Sequence, residues 1–177
     1  DSHCTFKTIP GNHDNSVHYP SIPRIHRLED GEEWRLGKWG LYGLDSRFKG
    51  TLGFASEQGR SAIAERRQQA GSPPFALLSI HHHVLPSQSW MDEHALINSD
   101  ALLDWLESET DIQLVVHGHT HTELVRQYKK CEILGAPSTS WQWQMASGFG
   151  TTDELPGVRV IDLHDDGTWQ THIRRTE

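Results

Sequence analysis

The segment Phe75-Ala-Leu-Leu-Ser-Ile-His-His-His83 sets a six-residue, almost wholly apolar run directly against three consecutive histidines. A short apolar run without alternation is the pattern of a strand buried on both faces. The pattern recurs in Ile112–Val116, which leads straight into His117-Gly-His-Thr-His121. Between the two lie a polar loop, residues 86–98, and a helix-like stretch that Ser99 can cap, with Leu102, Leu103 and Leu106 on one side. Upstream, Ser56 to Ala70 has helical composition, with Ser56 as N-cap and Gly71 as the stop. Trp34–Leu36 and Trp39–Leu44 read as short strands. Strand–helix–strand order of this kind predicts an α/β core with a mixed sheet. Ligands in such sheets sit beyond the carboxyl ends of the strands.

Toward the amino end, Cys4-Thr-Phe-Lys-Thr-Ile9 is strand-like and stops at Pro10-Gly11, followed by Asn12-His13-Asp14. Beyond residue 121 the texture is that of hairpins. Glu123–Tyr128 and Cys131–Leu134 flank Lys129-Lys130, and Val158–Leu163 and Thr168–Ile173 flank the turn His164-Asp-Asp-Gly167. Ser138 to Pro156, rich in Trp, Gln, Ser and Gly, reads as a long loop. No linker composition divides the chain, so residues 1–177 are expected to form a single domain.

Bulk composition narrows the class. A hydrophobic fraction of 35% and a charged fraction of 23% fit a globular protein. The net charge of −8 argues against nucleic acid as partner, because phosphate backbones need a basic surface. No apolar run approaches the roughly 18 residues of a membrane span, and nothing resembles a signal peptide. Cys4 and Cys131 make no disulfide framework and are expected to be small buried residues in a cytoplasmic protein. Thirteen histidines, several of them clustered, are the one departure from ordinary composition.

The three polar clusters each follow a strand: Gly11-Asn12-His13-Asp14, His81-His82-His83 and His117-Gly118-His119-Thr120-His121. If the strands are neighbours, the clusters converge on one edge of the sheet. Imidazole nitrogens with an amide oxygen suit a first-row metal such as Mn, Fe, Co or Zn. In His119-Thr-His121 a period of two puts both imidazoles on one side of an extended segment.

These clusters resemble the last three motifs of the calcineurin-like metallophosphoesterases. The run His81-His82-His83-Val84-Leu85-Pro86, Ser89-Trp90-Met91-Asp92-Glu93-His94 and Ala136-Pro137-Ser138-Thr139 are more narrowly similar to bacterial class III cyclic-nucleotide phosphodiesterases. The resemblance covers essentially the whole chain. It implies a four-layer α/β/β/α sandwich with mixed sheets and a centre of two first-row metal ions. Asn12, His81 and His119 match ligands of one ion and His121 a ligand of the other. His81 is preferred to His82 because the run aligns without a gap when His81 takes the ligand position. His13 matches the histidine that meets the scissile phosphate and helps the leaving group depart, and Asp14 the residue that orients it. His117 falls at a variable position beside the site.

The family also has an Asp-x-His and a Gly-Asp-x-x-Asp motif before its Gly-Asn-His-Asp turn. Asp1-Ser2-His3 spells the first but lies too close to Gly11 to serve, so the first strands and helices of the fold, and part of the metal set, are expected to be missing. An open sheet edge would then invite pairing with another copy. The resemblance implies a phosphodiesterase acting on a small diester, with 3′,5′-cyclic AMP foremost, through attack of a hydroxide bridging two metals. Asp45, His94 and Ser138-Thr139 are candidate wall residues. Two other readings stay open: a phosphodiesterase for glycerophosphodiesters or other small diesters, and a metal-binding module without catalysis. Trp141 and Trp143 either mark an interface or complete a core.

Overall fold

The protein is described here by a computed structural model covering residues 4–14, 26–109 and 111–176. The chain opens with β1 (Lys7–Thr8), which pairs in parallel with β2 (His26–Arg27). Next come β3 (Glu33–Leu36), β4 (Trp39–Leu44), helix α1 (Glu57–Arg67), β5 (Phe75–Ile80), helix α2 (Ser99–Ser108) and β6 (Ile112–His117). They are followed by β7 (Leu124–Tyr128), β8 (Cys131–Gly135), β9 (Gln142–Trp143), β10 (Thr151–Thr152), β11 (Gly157–Leu163) and β12 (Trp169–Arg175).

Six strands form one mixed sheet in the order β3-β4-β5-β6-β8-β7. The inner strands run parallel and the two edge strands antiparallel to their neighbours. The period of two sorts the apolar runs onto two faces. Ala76, Leu78 and Ile80 of β5 pack with Ile63 of α1 and Leu102 and Leu106 of α2. Leu77, Leu114 and Trp39 face the other way, against Ile161, Leu163 and Trp169 of the β11–β12 hairpin. Helices, main sheet and hairpin sheet therefore stack in that order, and the expected α/β architecture with mixed sheets is the one observed. No described helix is long and apolar enough to cross a membrane.

Local details differ from the sequence expectations in instructive ways. Ser56 does cap α1, accepting from the Gly59 N–H at 3.0 Å. Ser99 does not cap α2; its hydroxyl bonds back to the Leu96 carbonyl at 2.6 Å, and Asn98 occupies the cap position. The Asn98 side chain is committed elsewhere, pairing with both the N–H and the C=O of Ala55 at 2.9 and 2.8 Å. The loops are less bare than expected: Trp90–His94 forms a 3-10 turn, and β9 and β10 pair inside the 138–156 stretch. Cys131 is buried as expected, but Cys4 is exposed.

The strand expected over Cys4–Ile9 shrinks to two residues and does not join the main sheet. It lies over β4 instead, so close that a Cβ at Gly43 would come within 2.8 Å of the Ile9 side chain. That docking carries the 11–14 turn across to the ends of β5 and β6.

Candidate metal centre

β5 and β6 are parallel neighbours, with Leu78 opposite Val115 and Ser79 opposite Val116, so the histidines that follow them emerge side by side. The His81 carbonyl then accepts from the His119 N–H at 3.0 Å and the Gly118 N–H at 3.3 Å, fastening the second turn to the first. The side chains meet as a consequence. His81 Nε2 lies 2.8 Å from Asn12 Oδ1 and 3.0 Å from His119 Nδ1. Asn12 reaches this point because Gly11 has no side chain: a Cβ there would sit 2.8 Å from His81 Cε1.

These separations suit a shared ion. Two ligand atoms each about 2.1 Å from a metal and at right angles to one another are about 3 Å apart. An amide oxygen and two imidazole nitrogens are a donor set for first-row metals. His82 Nε2 is buried without a hydrogen-bond partner, a costly state that a ligand would relieve. His81, His82 and His119 offer ligand atoms that all lie within 4.8 Å of one another. The residues present thus fit the metal that the motifs imply.

The structure separates His81 from His82. Asn12 touches His81, whereas His82 turns beneath it, fully buried, with its Nδ1 bonded to Ser46 Oγ at 2.8 Å. Its ring centroid is 5.0 Å from that of His81 and 4.7 Å from that of His119. Gly53 makes room for it, since a Cβ there would be 2.4 Å from His82 Cγ. His83 stacks over His119 at 16° and 6.0 Å and holds Asp92 through Nε2 at 3.2 Å. The Asp92 carboxylate also accepts from the Ser87 and Gln88 backbone N–H groups at 2.7 and 2.9 Å, which fixes the loop after the histidine run.

Burial, and then the neighbouring imidazoles, push the histidine pKa values down. His81 falls to about 3 and His119 to about 2. His82 falls to about 4 and His117 to about 3 by the same desolvation. All four are neutral at pH 7, the state in which a ring nitrogen can bind a metal. His117 lies beside the centre, buried, its Nδ1 without a partner.

His13 is exposed on the 11–14 turn. The Asp14 carboxylate accepts from the Gly11 N–H at 2.8 Å, so what it fixes is the turn from which His13 leaves. Arg47 adds a bond to the Asp14 carbonyl at 3.0 Å. His121 departs from the extended geometry expected of His119-Thr-His121: its N–H closes a turn onto the Gly118 carbonyl, and its own φ is +46°. Its ring is half-buried, Nδ1 meets the Trp141 carbonyl at 3.1 Å, and it lies outside the three-histidine group.

Among the wall candidates, Asp45 is clamped by Arg47 and Arg27, at 2.6 and 2.8 Å, in an ion network. His94 bonds Thr51 at 2.7 Å, and Ser138 bonds Gln142 through its backbone at 3.0 and 2.8 Å. The ring cluster around His121 was not anticipated from the sequence; its signal was the concentration of Trp141, Trp143 and Phe149 in one loop.

No protein-family model matches the chain. It is 32% identical over 170 residues to a 3′,5′-cyclic-nucleotide phosphodiesterase of Nostoc sp., an alignment spanning 94% of this chain and 64% of that protein. A 3′,5′-cyclic adenosine monophosphate phosphodiesterase of Haemophilus influenzae is 29% identical, over 96% of this chain and 63% of its own length. The corresponding Pseudomonas aeruginosa enzyme is 35% identical over 80% of this chain and 53% of its own. The chain thus spans less than two thirds of the length of these curated relatives. A crystal structure of a Staphylococcus aureus protein provisionally assigned as a 5′-nucleotidase superposes with a TM-score of 0.50 at 11% identity, over 96% of this chain and 38% of that one. That likeness shows a shared fold. The chain is therefore similar, over most of its length, to bacterial cyclic-nucleotide phosphodiesterases, as its motifs implied.

Proposed function

We propose, from this kinship, that the chain carries the catalytic residues of a metal-dependent phosphodiesterase that hydrolyses 3′,5′-cyclic nucleotides, cyclic AMP foremost. The observation that carries the reading is the meeting of Asn12 Oδ1, His81 Nε2 and His119 Nδ1 within hydrogen-bond distance at the ends of adjacent strands. Metal ions held there would activate a water as nucleophile and neutralise charge on the phosphoryl oxygens.

The chain's own residues do the rest. Asn12, His81 and His119 hold one ion, and His121 contributes to a second. Burial keeps His81 and His119 unprotonated, so the ligand nitrogens are available throughout the neutral range. The backbone bonds from Gly118 and His119 to the His81 carbonyl fix their spacing. His13 takes the role of proton donor to the departing ribose oxygen, a task for a positioned general acid. Asp14 and Arg47 hold the turn that bears it. Neutral histidines leave the floor itself uncharged, which favours an anionic diester once metal is present.

The test is metal content per chain by elemental analysis after exchange into manganese buffer, paired with cyclic AMP hydrolysis in the same preparation. Retained manganese that disappears in His81→Ala, together with turnover, is the expected result. A folded protein that retains no metal at any concentration tried would sink the proposal.

A further inference from the structure

We propose that Trp90, Trp141, Trp143 and Phe149 form the seat for the heterocyclic base of the nucleotide, beside the histidines that receive its phosphate. The inference rests on the phosphodiesterase reading above and adds to it where the rest of the substrate lies.

Four aromatic rings gather at one side of the candidate centre. Trp90 stands edge-on to Trp143 at 5.3 Å and to Phe149 at 5.0 Å. Trp143 is 5.7 Å from both Trp141 and Phe149. Such a cluster is usually the inside of a core, yet Trp141 is 52% exposed and Phe149 74% exposed. Large rings left in water beside a candidate site mark a surface that receives something apolar and flat.

The cluster is tied to the candidate metal residues. Trp143 lies nearly parallel to the His121 ring, at 13° and 5.2 Å, and the Trp141 carbonyl meets His121 Nδ1 at 3.1 Å. His121 ends the turn that begins at Gly118, where the His119 and Gly118 N–H groups bond the His81 carbonyl. A ligand that touches both the histidines and the rings therefore needs an anionic end and a planar end joined by a short spacer. A mononucleotide has that construction.

The platform is held rigidly. The Trp90 indole N–H donates to the Gln144 carbonyl at 3.0 Å, and the Trp90 backbone N–H donates to the Ala146 carbonyl at 2.8 Å. Gln144 N–H closes onto the Gly150 carbonyl at 2.8 Å, and β9 pairs with β10 across the same loop. Rings already fixed in place lose little freedom when a base stacks on them. Stacking reads a π face and not its edge, so the seat selects for a heterocycle, two-ring bases over one-ring bases by contact area, without fixing which purine. The net charge of −8 disfavours a polynucleotide strand as occupant.

Calorimetric titration in manganese buffer, with AMP and with ribose 5-phosphate, measures the base's share directly. The two ligands have the same phosphate and sugar and differ in the base alone. AMP should bind tighter by on the order of tenfold. In Trp141→Ala/Phe149→Ala that advantage should vanish while ribose 5-phosphate binds as before, and Trp141→Phe, which keeps a flat ring, should retain most of it. Both side chains are mostly exposed, so the double variant should keep its thermal midpoint. Equal affinity for the two ligands, no detectable AMP binding, or an AMP advantage that survives the double substitution each overturns the proposal; the last would leave the rings as a surface for another protein. Cyclic AMP turnover is scored separately. Base-dependent binding without hydrolysis would defeat the reaction and leave the base seat standing, and hydrolysis without base preference would do the reverse.

Discussion

The histidines that end β5 and β6 and the rings of the 138–156 loop flank the same small region, yet they are built in opposite ways. His82 and His119 are 0% and 7% exposed, anchored at the ends of central parallel strands, and burial strips them of charge. Trp141 and Phe149 are more than half exposed, on a loop held by a two-residue strand pair and by bonds to Trp90. Donor atoms for a metal must be held within a few tenths of an ångström, and strand ends in a core do that. A flat stacking surface tolerates some displacement, so a surface loop suffices. The contrast predicts that substitutions at the floor disturb metal, fold and rate together, whereas those in the loop disturb ligand preference alone.

The largest effect should come from removing a floor ligand. His81→Ala and His119→Ala should each lower cyclic AMP turnover roughly 100-fold or more and release metal, since loss of groups one layer further out already costs about 10–100-fold. Elemental analysis beside the rate measurement checks this, and an active variant with its metal intact would break the contrast at its centre.

Acid should come next. His81, His82, His117 and His119 have folded pKa values of about 3, 4, 3 and 2 against an ordinary 6.5. Between those values the unfolded chain binds more protons than the folded one. Stability of the metal-free protein is therefore complete above about pH 6.5 and is lost progressively as pH falls toward 3. Urea midpoints at pH 7 and pH 5 read this out, and equal midpoints would contradict the buried neutral floor.

Packing beneath the floor gives smaller numbers. Gly53→Ala would put a Cβ 2.4 Å from His82 Cγ, and overpacking of this kind costs about 1–3 kcal/mol. Because His82 props both His81 and His119, manganese affinity should fall with the melting temperature. Ser46→Ala leaves His82 Nδ1 without its 2.8 Å partner, for about 1–2 kcal/mol in denaturant unfolding. A neutral Ser46→Ala would mean that the hydroxyl does not hold the ring.

On the loop side the expected cost is near zero. Phe149→Ala, at an exposed position, should change unfolding free energy by less than about 0.5 kcal/mol. A larger loss would show that the ring cluster supports the fold, and the distinction between floor and loop would blur.

Much of this organisation was legible in the sequence, for reasons of periodicity. The runs at 75–80 and 112–116 are short and largely apolar, the pattern of a central strand, and the β11–β12 hairpin is announced by the turn at 164–167. Histidines directly after two such strands were bound to share an edge once the strands proved adjacent. Other features were not legible, because they depend on partners far away in the chain. Asn12 and His81 are separated by 69 positions, and nothing local to either indicates that a glycine would let their side chains touch. The extended reading of His119-Thr-His121 failed because the His81 carbonyl, outside that segment, captures its backbone and bends it.

By itself, then, the sequence determined the central strands, the two helices and the hairpins, which strand ends carry clustered histidines, and to which proteins the chain is similar, because these follow from local pattern and residue type. Tertiary structure alone decided that His81 meets Asn12 while His82 lies beneath it, that Asp45 is consumed by Arg27 and Arg47, and that an exposed aromatic loop stands beside His121. Each of those outcomes is a competition for one small space between groups distant in sequence, and packing and hydrogen bonding settle it only when the whole chain is in place.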